Sequence, residues 1–105
     1  MKITTTDYIP GLEVEKIVGI AKGSTIRTKH LGKDIVAGLR HLMGGELIEY
    51  TEMINEARDG AINRMILDAE KLKSDAVINV RLETAEIAKG AAEVLAYGTA
   101  VKLKK

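Results

Sequence analysis

The 105-residue chain has no cysteine, no tryptophan, no phenylalanine and a single proline. The absence of cysteine excludes disulfides, thiolate metal sites and cysteine nucleophiles. Three tyrosines are the only aromatic residues, so the chain offers no stacking platform for nucleic-acid bases. Its core has to be built from Ile, Val, Leu, Met and Ala, within a hydrophobic content of 46%. An excess of one charge is missing as well. Sixteen basic against fifteen acidic residues leave a net charge of +1, which gives no electrostatic footprint for nucleic acid or anionic lipid. The apolar runs are too short to span a bilayer. Lys2 is followed by Ile3-Thr4-Thr5-Thr6 rather than by an apolar leader. The expectation is a cytoplasmic protein with no nucleic-acid partner and no membrane partner.

What is present organises as one domain over residues 1–105, long enough to bury roughly two-thirds of its unfolded surface. Charge is spread unevenly, about +3 over Glu13 to His41 and about −3 over Glu46 to Lys73. Ile3 to Thr6 reads as a short strand. Pro10-Gly11 then reads as a type II turn, with Pro fixing φ and Gly free to take the positive φ that follows. Glu13 to Thr28 reads as β, with Val14, Val18 and Ile20 on one face, Ile17 and Ala21 on the other, interrupted by Gly19 and Gly23 with a bulge or a bend near Lys22-Gly23. Gly32 to Met43 carries a short helical stripe through Ile35, Leu39 and Leu42, which Gly44-Gly45 stops.

The longest periodic segment is Leu47 to Lys73. Tyr50, Ile54, Ala57, Ala61, Met65, Ala69 and Leu72 recur at spacings of three and four, the stripe of an amphipathic helix. Acids at its start and Lys71 and Lys73 at its end suit the helix dipole. Val77 to Glu83 alternates as a strand, Ile78, Val80 and Leu82 inward. Glu93 to Leu103, after a connection at Ala88 to Ala91, forms the last strand. That strand presents Val94, Ala96, Gly98 and Ala100 on one face, small enough for a helix to approach closely. Its other face carries Leu95, Tyr97, Thr99, Val101 and Leu103. Two helices do not readily cover both faces, and an uncovered apolar face is an assembly surface. A homo-oligomer is therefore expected.

Chemistry-bearing residues are sparse. His30 and Asp34 stand four apart and are weak metal candidates together with His41, although two ligands without a third hold a metal poorly. Surface histidines are the plainer reading. Met43, Met53 and Met65 are too scattered for a soft-metal site. Glu49, Glu52, Glu56 and Asp59 form a carboxylate stripe that a solvated helix face explains. Gly44-Gly45 ahead of the long helix leaves backbone N–H groups that suit an anion. With Arg40 and His41 upstream and Tyr50 downstream, this segment is the candidate ligand site for a small molecule or anion; a plain helix–helix turn is the alternative. Ser24, in an expected turn, and Ser74, at a helix-to-strand turn, lie in no nucleophile-elbow context. No catalytic residue and no cofactor is assigned.

Several stretches then resemble one family. Thr4-Thr5-Thr6, Pro10-Gly11-Leu12, Val18-Gly19-Ile20, Ala37-Gly38-Leu39-Arg40 with Gly44-Gly45, and Ala57-Arg58 are similar to YbjQ-like proteins. Ser74-Asp75-Ala76-Val77-Ile78-Asn79-Val80-Arg81 and Tyr97-Gly98-Thr99-Ala100-Val101 complete the match, with Ser74 where the pattern often has Gly. The resemblance implies a two-layer α+β subunit, similar also to the dodecin subunit. Its antiparallel three-stranded core sheet, with a short N-terminal strand, would be covered by one long and one short helix. It also implies a homopentamer in which short strands join subunits, and it brings a heavy-metal-binding label. Three functions follow as expectations. The first is a non-enzymatic oligomer that binds a small ligand or serves as a scaffold. The second is a metal-binding protein with sites at subunit contacts. The third is an enzyme with an interface site near Arg40, Gly44, Gly45 and Tyr50.

Overall fold

A computed structural model describes residues 1–28, 44–88 and 90–105, with the backbone alone described at residue 28 and across 44–50. The elements run β1 (Lys2–Ile3), β2 (Val14–Thr28), α1 (Gly44–Lys71), β3 (Ala76–Ala88) and β4 (Ala91–Leu103). They form one four-stranded sheet in the order β1-β3-β4-β2. The three long strands pair antiparallel, whereas β1 lies parallel to β3. The sheet is therefore mixed, because the chain returns to β3 after α1 has crossed the sheet.

The expected turn is present. Gly11 has φ of 78°, and the N–H of Leu12 donates to the carbonyl of Ile9 at 3.1 Å, closing a type II turn over Pro10-Gly11. Beyond β1 the N-terminal segment stays bonded to β3, Thr4 N–H to Val77 O and Val80 N–H to Thr4 O.

The helix is described from Gly44, three residues before the sequence pattern starts, so Gly44 and Gly45 are themselves helical rather than a turn ahead of the helix. Its buried stripe is Ala57, Ala61, Met65 and Ala69, all fully buried. These pack with Ala21 of β2, Val77 and Val80 of β3, and Val94, Ala96 and Ala100 of β4. The small-residue face of the last strand is thus the face under the helix. Gly23 fits the same design: a Cβ there would lie 2.6 Å from the Ala61 carbonyl oxygen. Gly23 is a close-approach position, not a bulge, and it sits in regular register with Ala96. The irregularities of β2 fall earlier, between Val14 and Lys16 and between Ile17 and Gly19.

The helix ends in a Schellman arrangement. Lys73 takes φ of 59°, its N–H reaches Glu70 O, and Ser74 N–H reaches Ala69 O.

Two face assignments are corrected by bulges. The extra residue near Ile17 to Gly19 turns Val18 toward the helix and leaves both Ile17 and Ile20 exposed. In β3, Asn79 takes φ of 54° inside a register shift between Ile78 and Arg81. Ile78 and Val80 therefore face opposite sides: Val80 joins the helix-side core, while Ile78 packs with Ala76, Val101 and Ile9. Asn tolerates the left-handed conformation that such a bulge requires. The strands are also longer than expected, β3 running on to Ala88 and β4 starting at Ala91. The short helix expected over Gly32 to Met43 lies outside the described residues.

Candidate functional site

Most of the chemistry expected of this chain falls where no side chain is described. His30, Asp34, Arg40, His41 and Met43 lie outside the described residues. Of the anion candidate, Gly44, Gly45 and Tyr50 are placed by their backbone in α1. The described residues contain neither His nor Cys. Among them no three of Asp, Glu, His or Cys gather as a metal site would require. Glu52, Glu56 and Asp59 are exposed on the helix. Met65 is core, and Met53 is half-buried. Ser24 lies within β2 rather than in a turn, its carbonyl accepting from Arg64 Nη1 at 2.6 Å.

The motif that carried the strongest resemblance, Ser74 to Arg81, is absorbed by the fold. The Ser74 hydroxyl donates to Ala69 O at 2.7 Å and closes the helix end. The Asp75 carboxylate accepts the Leu103 N–H at 2.9 Å and holds the end of β4. Asn79 forms the bulge. Arg81 Nη1 donates to Thr5 O at 2.9 Å and to Val80 O at 2.8 Å, pinning the N-terminal segment to β3. Gly98 is needed because a Cβ there would lie 2.6 Å from Val77 Cγ1. The stretch that carries the resemblance reports a demanding local fold.

Two surfaces remain that the fold does not explain. The first is a groove of about 470 Å³ on the helix side of the sheet, lined by Ile3, Thr4, Ile62, Val80, Arg81 and Leu82 among others. It exists because α1 packs mainly on β2 and β4 and leaves β3 beside it open. Its floor and walls are aliphatic, with threonines and one guanidinium at the rim. Among the described residues Arg81 has no carboxylate partner. Sequence pattern does not reveal this groove, since it depends on the line that the helix takes across the sheet.

The second surface is the opposite face of the sheet. The N-terminal segment covers one end of it, through Ile9 against Ala76, Ile78 and Val101. Along β2 the cover stops: Ile17 is 69% exposed, Ile20 71% and Ile26 56%. Isolated exposed apolar residues are ordinary. Three isoleucines on one face of a single edge strand are not.

A long helix laid on one face of a mixed four-stranded sheet, with the other face open, defines a two-layer α+β protein. The chain belongs to the YbjQ-like family, described as "Putative heavy-metal-binding", whose model matches residues 1–104. A UPF0145 protein of Methanosarcina acetivorans is 61% identical over 98% of this chain and 97% of its own length. Another, from Archaeoglobus fulgidus, is 57% identical over 97% of this chain and 94% of its own. The fold is shared with a crystal structure of a DUF74-family protein of unknown function from Pediococcus pentosaceus. That match has a TM-score of 0.60 at 18% identity and covers 99% of this chain and 98% of the other. No helix among the described residues is long and apolar enough to cross a membrane.

Proposed function

We propose that the protein is a non-enzymatic homo-oligomer, pentameric as the family resemblance implies, that binds a small ligand or anion or serves as a scaffold. The observation that carries this reading is the open sheet face with Ile17, Ile20 and Ile26 exposed on edge strand β2. Leaving that face in water forgoes burial worth about 25 cal/mol per Å² of apolar surface, which a second copy recovers. The shape of the subunit supports the same reading. Its radius of gyration is 17.3 Å, against about 13 Å for a compact chain of this length. The candidate ligand segment remains Arg40, His41, Gly44, Gly45 and Tyr50, of which the last three belong to α1.

Native mass spectrometry of the untagged protein tests the proposal. An oligomer carrying a reproducible extra mass supports assembly and ligand together. A clean oligomer supports the scaffold role, and a monomer overturns the reading.

The family description favours one second reading, a metal bound at subunit contacts through His30, Asp34 or His41. Symmetric assembly brings copies of such residues together where one chain has too few. Elemental analysis of the same untagged protein decides it: a stoichiometric metal supports the reading, and its absence removes it.

A further inference from the structure

Of the two unexplained surfaces, the groove beside β3 has the chemistry of a ligand site. Ile3 of β1, Ile62 of α1, and Val80 and Leu82 of β3 give it an aliphatic lining. Among the described residues that line it, none is aromatic, none is acidic, and Arg81 is the one charged group. Its volume of about 470 Å³ falls within the roughly 300–1,000 Å³ usual for small-molecule sites. We infer that the groove binds a small aliphatic monocarboxylate, its chain along the four apolar residues and its carboxylate on the Arg81 guanidinium.

Arg81 is prepared for that role. Its Nη1 donates to the carbonyls of Thr5 at 2.9 Å and Val80 at 2.8 Å, so the planar fork is fixed before a ligand arrives. Both bonds engage Nη1, and among the described residues no carboxylate neutralises the charge. The other donors of the fork match the paired oxygens of a carboxylate. Thr5, exposed beside the guanidinium, adds a hydroxyl to the same end of the groove. Asn79 sets the floor, because its left-handed backbone turns Val80 to the groove side.

The lining also selects against other ligands. A cation would meet the charge of Arg81 with no acid in the lining to offset it. A compact polyanion such as inorganic phosphate would set oxygens against aliphatic walls that offer them no hydrogen bond. A flat aromatic ligand finds no ring to stack on. The groove shares no residue with the Arg40 to Tyr50 segment and needs no particular number of subunits, so this site goes beyond the function proposed above.

Decanoate is the probe, with decanol, decylamine and acetate as controls. Methyl NMR of Ile-, Leu- and Val-labelled protein reads the site directly, because Ile3, Ile62, Val80 and Leu82 line it while Ile17 and Ile20 are exposed on β2. Decanoate is expected to shift the first set saturably and to leave Ile17 and Ile20 unmoved. Decanol and decylamine are expected to bind about tenfold more weakly, as the loss of hydrogen bonds to a charged group implies, and acetate more weakly still. Equal affinity for decanol would overturn the carboxylate assignment. No saturable shift, or shifts centred on Ile17 and Ile20, would overturn the site. A soluble paramagnetic probe is expected to broaden the groove methyls of the free protein. Groove methyls out of its reach would mean that another subunit fills the groove, which also overturns the proposal. Arg81→Lys keeps the charge but loses the fork and is expected to weaken decanoate several-fold; unchanged affinity would overturn the role of the fork. Arg81 also holds the N-terminal segment, so Leu82→Glu supplies a second variant at a residue already 42% exposed. It is expected to weaken decanoate about tenfold and to favour decylamine, and an unchanged preference would overturn the site. Native mass spectrometry reads assembly separately, so failure of this site leaves the oligomeric reading intact.

Discussion

Gly23 of β2 and Met65 of α1 meet backbone to backbone: a Cβ on Gly23 would lie 2.3 Å from the Met65 nitrogen. The helix rests on the sheet at this point with no side chain between them. Neither neighbour can yield as a side-chain tip would, so added volume has to lift the helix. Gly23→Ala is therefore expected to cost about 3 kcal/mol, the upper end for overpacking a core. Gly19→Ala is the control in the same strand, since its nearest neighbour would be Leu72 Cδ1 at 3.9 Å, an ordinary contact. Urea titration of both variants checks the contrast; equal midpoints would show that the helix does not sit where the structure places it.

Thr25 sits directly beneath the helix, 2% exposed, and its hydroxyl donates to the Ala57 carbonyl at 2.6 Å. Thr25→Val keeps the shape but removes the donor, and the carbonyl retains its place in the helix. The expected loss is about 1 kcal/mol, the usual net worth of one hydrogen bond. Thr25→Ala also opens a cavity and is expected to lose more. A valine variant as stable as the wild type, with only the alanine variant destabilised, would locate the effect in packing rather than in the hydrogen bond.

Much of this architecture was legible in the sequence. The stripe Ala57, Ala61, Met65, Ala69 survives helix formation unchanged because a 3.6-residue period tolerates no other face. The alternation of β4 held because its period of two is broken by no bulge of its own, with Val94, Ala96 and Ala100 under the helix. The type II turn followed from Pro10-Gly11 alone. What failed was period two across a bulge. Ile78-Asn79-Val80 reads as flawless alternation, yet Asn79 in the left-handed conformation puts Ile78 and Val80 on opposite faces. The Ile17 to Gly19 irregularity reversed β2 in the same way; Gly19 marks it, but the interruption was expected near Lys22-Gly23. The groove was not legible at all, since it is defined by where the helix is absent. The histidines and Arg40 lie outside the described residues, so the site expected from them keeps its standing as a proposal.

Lys73 holds φ of 59° as the residue that ends the helix, a conformation in which a side chain is strained and glycine is not. Lys73→Gly is expected to stabilise the protein by about 1 kcal/mol, since left-handed backbone costs an ordinary residue roughly 1–2 kcal/mol and glycine gives part of that back in chain entropy. Thermal unfolding should rise by several degrees. A fall would mean that the lysine side chain contributes more to the helix end than its backbone strain removes.

Asp68 and Arg64 reach from the helix to the free edge of β2, taking the Lys22 N–H and the Ser24 carbonyl. An edge strand of fifteen residues otherwise offers a row of unpaired groups to any other strand. These two side chains interrupt that row at its middle, so their main effect is on association rather than on folding. Asp68→Ala/Arg64→Ala is expected to lower stability by only about 1–2 kcal/mol, as exposed side-chain-to-backbone bonds do. The larger expected change is aggregation on warming, at temperatures where the wild type stays clear. Light scattering during a thermal ramp, run beside circular dichroism, separates the two effects. Scattering that begins before unfolding identifies the edge as the sticking surface. Scattering that begins only with unfolding would mean that the bulges near Val14 and Gly19 protect the edge without help from the helix.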